Sequence, residues 1–196
     1  MKNIPIIPIL MWTIMVLVII NGHRVSRKSE AKANYSMAGG VDAHLSKARN
    51  AFIENDKWNF LREMEDASVL LSKEAFCEKC LDHDVAKEGL SSIVDIKHKY
   101  ERGVLTIELM NQAFGNVINS LAKNHIIYTL EHMGEINEEF YLEDAVRHLK
   151  YSMEFASSDI KEKEELAKAA LEEALINHEL DPEQTKRILD AVVAGI

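Results

Sequence analysis

Between Pro8 and Pro182 the chain contains no proline. Proline in a helix interior removes a hydrogen bond and clashes with the preceding turn, at a cost of about 3 kcal/mol. A stretch this long without one places no such limit on helix length. Ala, Leu, Glu, Lys and Met dominate the same stretch, and all favour helix. Runs of alternating β-branched residues, which would specify strands, are missing. The chain is therefore expected to be all-α. Residues 34–196 have the length of a single domain, enough to bury a core without disulfide staples.

Apolar spacing divides this body into six to seven helices, expected to pack as an antiparallel helical bundle because their connections are short. The first runs from Asp42 to Glu54, with Leu45, Ala48 and Phe52 on one face. Asn55-Asp56 turns the chain into a second, whose face carries Trp58, Leu61, Met64, Ala67 and Leu71. A third covers Val85 to Arg102 and buries Ile93, Ile96 and Tyr100, with Gly103 placed to end it in a left-handed conformation. The fourth is long, Leu105 to Met133, with a stripe of Met110, Phe114, Val117, Leu121, His125, Tyr128 and His132. A fifth spans Glu138 to Ala156. A sixth is capped by Ser158 or Asp159 and presents Leu166, Ala170, Leu171, Ala174 and Leu175. Asp181-Pro182-Glu183-Gln184 then reads as N-cap, N1 and N3 of a final helix.

Ahead of this body, Ile4 to Ile20 is apolar except for Thr13 and carries no charge. That is the short end of the roughly 20 residues a spanning helix needs. Ala31-Lys32-Ala33 supplies an A-x-A pattern of the kind that precedes signal-peptide cleavage. Residues 1–33 are therefore expected to be a signal peptide or membrane anchor, 34–41 a Gly-containing linker and 42–196 the helical domain. The expected location is the cell envelope, periplasmic or membrane-anchored. Arg24, Arg27, Lys28 and Lys32 follow the apolar run while only Lys2 precedes it; basic flanks prefer the cytoplasm, so the alternative is the cytoplasmic face of a membrane.

The whole chain carries a net charge of −9. Residues 1–33 hold five bases (Lys2, Arg24, Arg27, Lys28, Lys32) against the single acid Glu30, so the body stands near −13. Nucleic-acid phosphates need Lys and Arg to neutralise them, and this balance argues against such a ligand. It suits a basic protein partner or self-association.

Two groups of residues carry ligand chemistry. Cys77, Cys80 and His83 recur at three-residue steps, so on a helix they converge within reach of one ion, with Asp84 or His98 as a fourth ligand. The same thiols also suit a local disulfide, inert cysteines or a redox pair. Leu81 stands where a c-type haem site would need His. The second group is His125 and His132 on the fourth helix, which would ligate a divalent metal with a carboxylate such as Glu131, Glu139 or Asp144, or would serve as buried histidines bonded to a facing helix. The run Lys161–Glu165 reads as a solvated helix start that complements the helix dipole. The chain has no Gly-x-Ser-x-Gly, no phosphate-binding glycine loop, no His-Glu-x-x-His and no Glu-x-x-His pair. No catalytic residue is assigned, and a non-enzymatic role is expected.

His44-Leu45 and His148-Leu149 each open a helical hairpin. Asp144-Ala145-Val146-Arg147-His148-Leu149, followed by Leu171-Glu172-Glu173-Ala174-Leu175, resembles a repeat of the small metal-binding protein family of periplasmic, histidine-rich helical bundles. That resemblance implies an exported α bundle that binds divalent metal. Met153, Glu154, Ala169 and Ala170 stand where the family pattern would repeat His, so the metal capacity need not accompany the fold. The spacing of Ala48 and Phe52, and of Ala167, Leu171 and Ala174, also resembles tetratricopeptide hairpins, without their Gly-Tyr turn or steady 34-residue period. The leading expectation is an accessory protein with an interaction or assembly role in a cell-envelope complex. The alternative is a metal-binding or metal-chaperone bundle.

Overall fold

A computed structural model describes residues 38–76, 83–133, 138–177 and 181–195. The apolar segment 4–20 lies outside them. Among the described residues there are seven helices and no strand: α1 (Ala38–Ile53), α2 (Lys57–Ala75), α3 (His83–Glu101), α4 (Ile107–Glu131), α5 (Glu138–Ser152), α6 (Ser158–Asn177) and α7 (Pro182–Gly195). The chain is an all-α helical bundle in which every consecutive pair of helices is in contact. Short connections leave each helix little choice but to fold back beside the last. None of the described helices is long and apolar enough to cross a membrane.

The turns follow from local chemistry. Asn55 takes a positive φ of 56°, a conformation Asn tolerates better than most residues, and reverses the chain after α1. Asp56 then opens α2, its Oδ1 accepting from the backbone N–H of Asn59 at 3.0 Å. The Asn59 bonds hold its carboxyl below the usual range. Gly103 has φ 70° after α3, in the left-handed position its place in the sequence requires. Thr106 caps α4, its hydroxyl accepting from the N–H of Leu109.

Helix boundaries and faces differ from expectation in several places, among them Leu166 of α6, expected on the apolar face but 68% exposed. α1 begins at Ala38, inside the stretch read as a linker. Gly40 faces α2, where a Cβ would sit 2.6 Å from Leu70 Cδ1 and would require that side chain to move. On α2 the buried stripe is Phe60, Met64, Ala67 and Leu71, while Trp58 is 76% exposed and Leu61 lies on the flank. Phe60, absent from the expected face, sits at the centre of an aromatic trio, 5.7 Å from Phe52 of α1 and 4.4 Å from Tyr100 of α3 between ring centroids.

The core has two parts that share one helix. Leu45, Ala48, Phe60, Met64, Ile93, Ile96, Met110, Phe114 and Leu121 belong to the first, built on α1 to α4 and closed by Phe155 from beyond α5. Ala122, Ile126, Leu142, Ala145, Leu149, Leu171 and Leu189 belong to the second, built on α4 to α7. α4 is buried along nearly its whole length because its apolar stripe serves both. Burial also recurs at one constant offset between the two hairpins: Leu45 with Leu149, Ala48 with Ser152, Phe60 with Glu164, Glu63 with Ala167, Ala67 with Leu171.

Candidate functional site

The expected metal ligands are placed as follows. Cys77 and Cys80 lie outside the described residues. His83 opens α3, with Nε2 2.7 Å from Lys87 Nζ. Asp84 is 92% exposed, and His98 points to Glu101 on the surface, 3.5 Å away. His125 is fully buried, its ring 5.1 Å from that of His148 and 6.2 Å from that of Tyr141. His132 ends α4 differently: it stacks on Tyr128 at 3.8 Å, and its Nδ1 lies 3.0 Å from the Tyr128 carbonyl oxygen, placed to donate to it. His125 and His132 thus face different surroundings. Among the described residues, none of the expected ligands joins a group of three close enough to hold an ion.

His125 instead borders a buried polar seam between α1 and α5. Asp42 and His148 are both fully buried, and His148 Nδ1 lies 2.7 Å from Asp42 Oδ2. A carboxylate only accepts, so Nδ1 carries the proton. Arg147 bonds Asp144 on its own helix and brings its Nε to 3.8 Å from Asp42. These groups tie the first residues of α1 to the middle of α5 and hold the two core regions in register.

A polar recess lies elsewhere. A cleft of about 470 Å³ opens where the joint between α5 and α6 crosses α4. One wall is the face of α4 that carries Asn111, Gln112, Gly115, Asn116 and Asn119. The other is Ser152, Phe155, Ser157, Ile160 and Glu164. Phe155 fixes that wall by packing edge-on against Phe114 at 5.7 Å. Arg49 of α1 braces the far end, its Nε donating to Asn111 Oδ1 at 3.0 Å.

Glu164 forms the floor of this cleft. The run Lys161–Glu165 was expected to be solvated throughout; Lys161, Glu162, Lys163 and Glu165 are exposed, but Glu164 is only 3% exposed. It falls on the same helical face as Ala167 and Leu171, which the core covers. Its Oε1 accepts from Asn119 Nδ2 at 2.7 Å, while its Oε2 is buried without a hydrogen-bond partner among the described residues. Burial pushes this carboxyl above the ordinary range, against the opposing pull of Asn119 and the nearby Ser152 hydroxyl. At the mouth, Glu108 is held below the ordinary range by the backbone N–H at the start of α4 and by Thr106. The cleft therefore pairs a carboxyl that resists ionisation with one that favours it.

A raised carboxyl makes folding pH-dependent with a defined sign. The folded state holds the Glu164 proton to higher pH than the unfolded chain, so this group's effect on stability worsens as pH rises above the unfolded value near 4.5 and levels off above the folded one. Glu164→Gln is expected to remove that dependence. Urea unfolding across pH 4–8 is expected to show the variant gaining on the parent as pH rises, with the gap smallest in acid.

The sequence contained a signal for this site. Asn is a weak helix former, yet α4 carries Asn111, Asn116, Asn119 and Asn124 in its interior. Amides kept in the middle of a helix at the expense of propensity mark a face with a polar task.

Comparison with protein-family models, with curated proteins and with solved structures finds no match to this chain.

Proposed function

We propose that this protein is a non-enzymatic binding module, an accessory protein that docks an extended, basic peptide segment of a protein partner in the cleft between α4 and the α5–α6 joint. The carrying observation is the chemistry of the lining. Gln112 and Asn116 each present a donor and an acceptor, the complement of a peptide backbone's own N–H and C=O groups, while Asn111 and Asn119 flank them, held by Arg49 and Glu164. Among the described residues the lining holds no Lys, and Arg49 at the far end is engaged with Asn111, which disfavours phosphate or carboxylate ligands. Glu108 at the mouth and the acidic body favour a Lys or Arg on the guest. Phe155 and Ile160 supply apolar surface for the guest's side-chain stems. The cell-envelope setting of this reading rests on the apolar run 4–20 alone.

Gln112 and Asn116 are exposed, so replacing them leaves the core intact. The test is an array of short synthetic peptides, each with a Lys-to-Gln counterpart, probed with the full chain. Lys-containing peptides are expected to bind, and Gln112→Ala/Asn116→Ala is expected to weaken them by about tenfold or more, the loss of one or two well-made hydrogen bonds. Binding that ignores both the lysine and the double substitution would remove this reading.

A further inference from the structure

α1 and α2 bring together a second group that the peptide cleft does not use. His44 of α1 faces Glu63 and Asp66 of α2, with Nδ1 2.6 Å from Glu63 Oε2 and 3.9 Å from Asp66 Oδ2. All three offer a ligand atom within 4.8 Å of the others, and this is the one such group among the described residues. The spacing on α2 is what makes this work: residues three apart share a face, so both carboxylates address the same imidazole.

We propose that His44, Glu63 and Asp66 form a binding site for a divalent transition-metal ion of the zinc type. Three features of the group support this. The donor set, one imidazole nitrogen and two carboxylate oxygens, suits a borderline ion. Zinc sits about 2.0–2.2 Å from such donors in a tetrahedron, so neighbouring donors lie roughly 3.3–3.5 Å apart; the observed separations bracket that value, and small side-chain rotations reach it. Finally, Glu63 is pre-arranged. It is 6% exposed, and its Oε1 is held by Arg62 Nη2 at 2.7 Å, leaving Oε2 to face His44.

Accessibility is graded in the right order. The side chain of Glu63 is buried, that of His44 is 25% exposed and that of Asp66 49% exposed, so an ion enters from the solvent side and keeps an outward coordination position for water. Arg62 stays on the far oxygen of Glu63 as an orienting partner. Nδ1, the ring atom that faces Glu63, would bind the ion, which places the imidazole proton on Nε2.

The experiment uses the full chain with Cys77→Ser and Cys80→Ser, which removes the thiols as competing ligands, purified without a histidine tag and stripped by chelator. Zn²⁺ is titrated against a chromophoric chelator. One ion per chain at micromolar affinity or tighter is expected, with His44→Ala and Asp66→Asn each weakening it by about tenfold or more. Asp66 is half exposed, so Asp66→Asn serves as the variant that folds; its metal-free urea curve is expected to overlay the parent's. Co²⁺ in place of Zn²⁺ is expected to give visible d–d bands. The proposal fails if the thiol-free chain takes up no Zn²⁺ up to about a hundred micromolar, a concentration well above any specific site of this kind. It fails equally if uptake is the same in Asp66→Asn and His44→Ala as in the parent.

Discussion

Asp42→Ala is expected to destabilise the protein by roughly 3–5 kcal/mol, the range for stranding one partner of a buried ionic or charge-assisted pair. Asp42 and His148 are both inaccessible to solvent, and the substitution leaves the His148 N–H with no acceptor. For a domain of this size the midpoint of thermal unfolding should fall by about 6–20 °C. The companion experiment is the double variant Asp42→Leu/His148→Leu. Removing both polar groups leaves neither stranded, so the pair together is expected to cost less than the two single changes summed. Urea unfolding of the four proteins in the cycle measures this directly. A simple additive result would mean that the contact is incidental to stability.

Phe60→Ala carries the second large effect, about 3–5 kcal/mol. Phe60 is fully buried where α1, α2 and α3 meet, and its ring touches both Phe52 and Tyr100. Truncation leaves a cavity that three helices would have to close together, and close packing makes such collapse incomplete. Phe60→Leu is expected to retain most of the stability, because it keeps most of the volume and loses only the ring contacts. Denaturation monitored by circular dichroism tests both. Trp58→Ala, one turn-edge away on the exposed face, is the control and is expected to lie within about 0.5 kcal/mol of the parent.

The helices were legible because their signals are local. Met110, Phe114, Val117 and Leu121 recur at helical spacing, Gly103 sits where a left-handed residue must end α3, and Asp56 sits where a cap must open α2. The contrast between Trp58 and Phe60 shows the limit of periodicity. Both belong to plausible stripes, and only the arrival of α1 and α3 on the Phe60 side decides between them. The site was less legible for the same reason. His148 meets Asp42 across 106 positions, and Glu164 meets Asn119 across 45, so neither contact leaves a trace in short-range spacing. Glu164 looked like any other acid in a charged run until the packing of Ala167 and Leu171 fixed which way it faces. His44 and Glu63 were likewise separated by a turn, and Glu63 carries no sequence mark distinguishing it from Glu65 beside it, which reaches the surface and pairs with Lys97.

That α4 feeds both halves of the interior bears on how the molecule comes apart. A chain with two self-sufficient cores would melt in two steps and tolerate being cut between them. Here neither half retains an inner wall once Met110 to Ile126 is withdrawn, so a fragment ending after α3 or beginning at α5 is left with an open flank. Loss of one half removes the support of the other, and the described domain should behave as a single cooperative unit, in which strain applied at the cleft on α4 reaches the opposite end of the bundle.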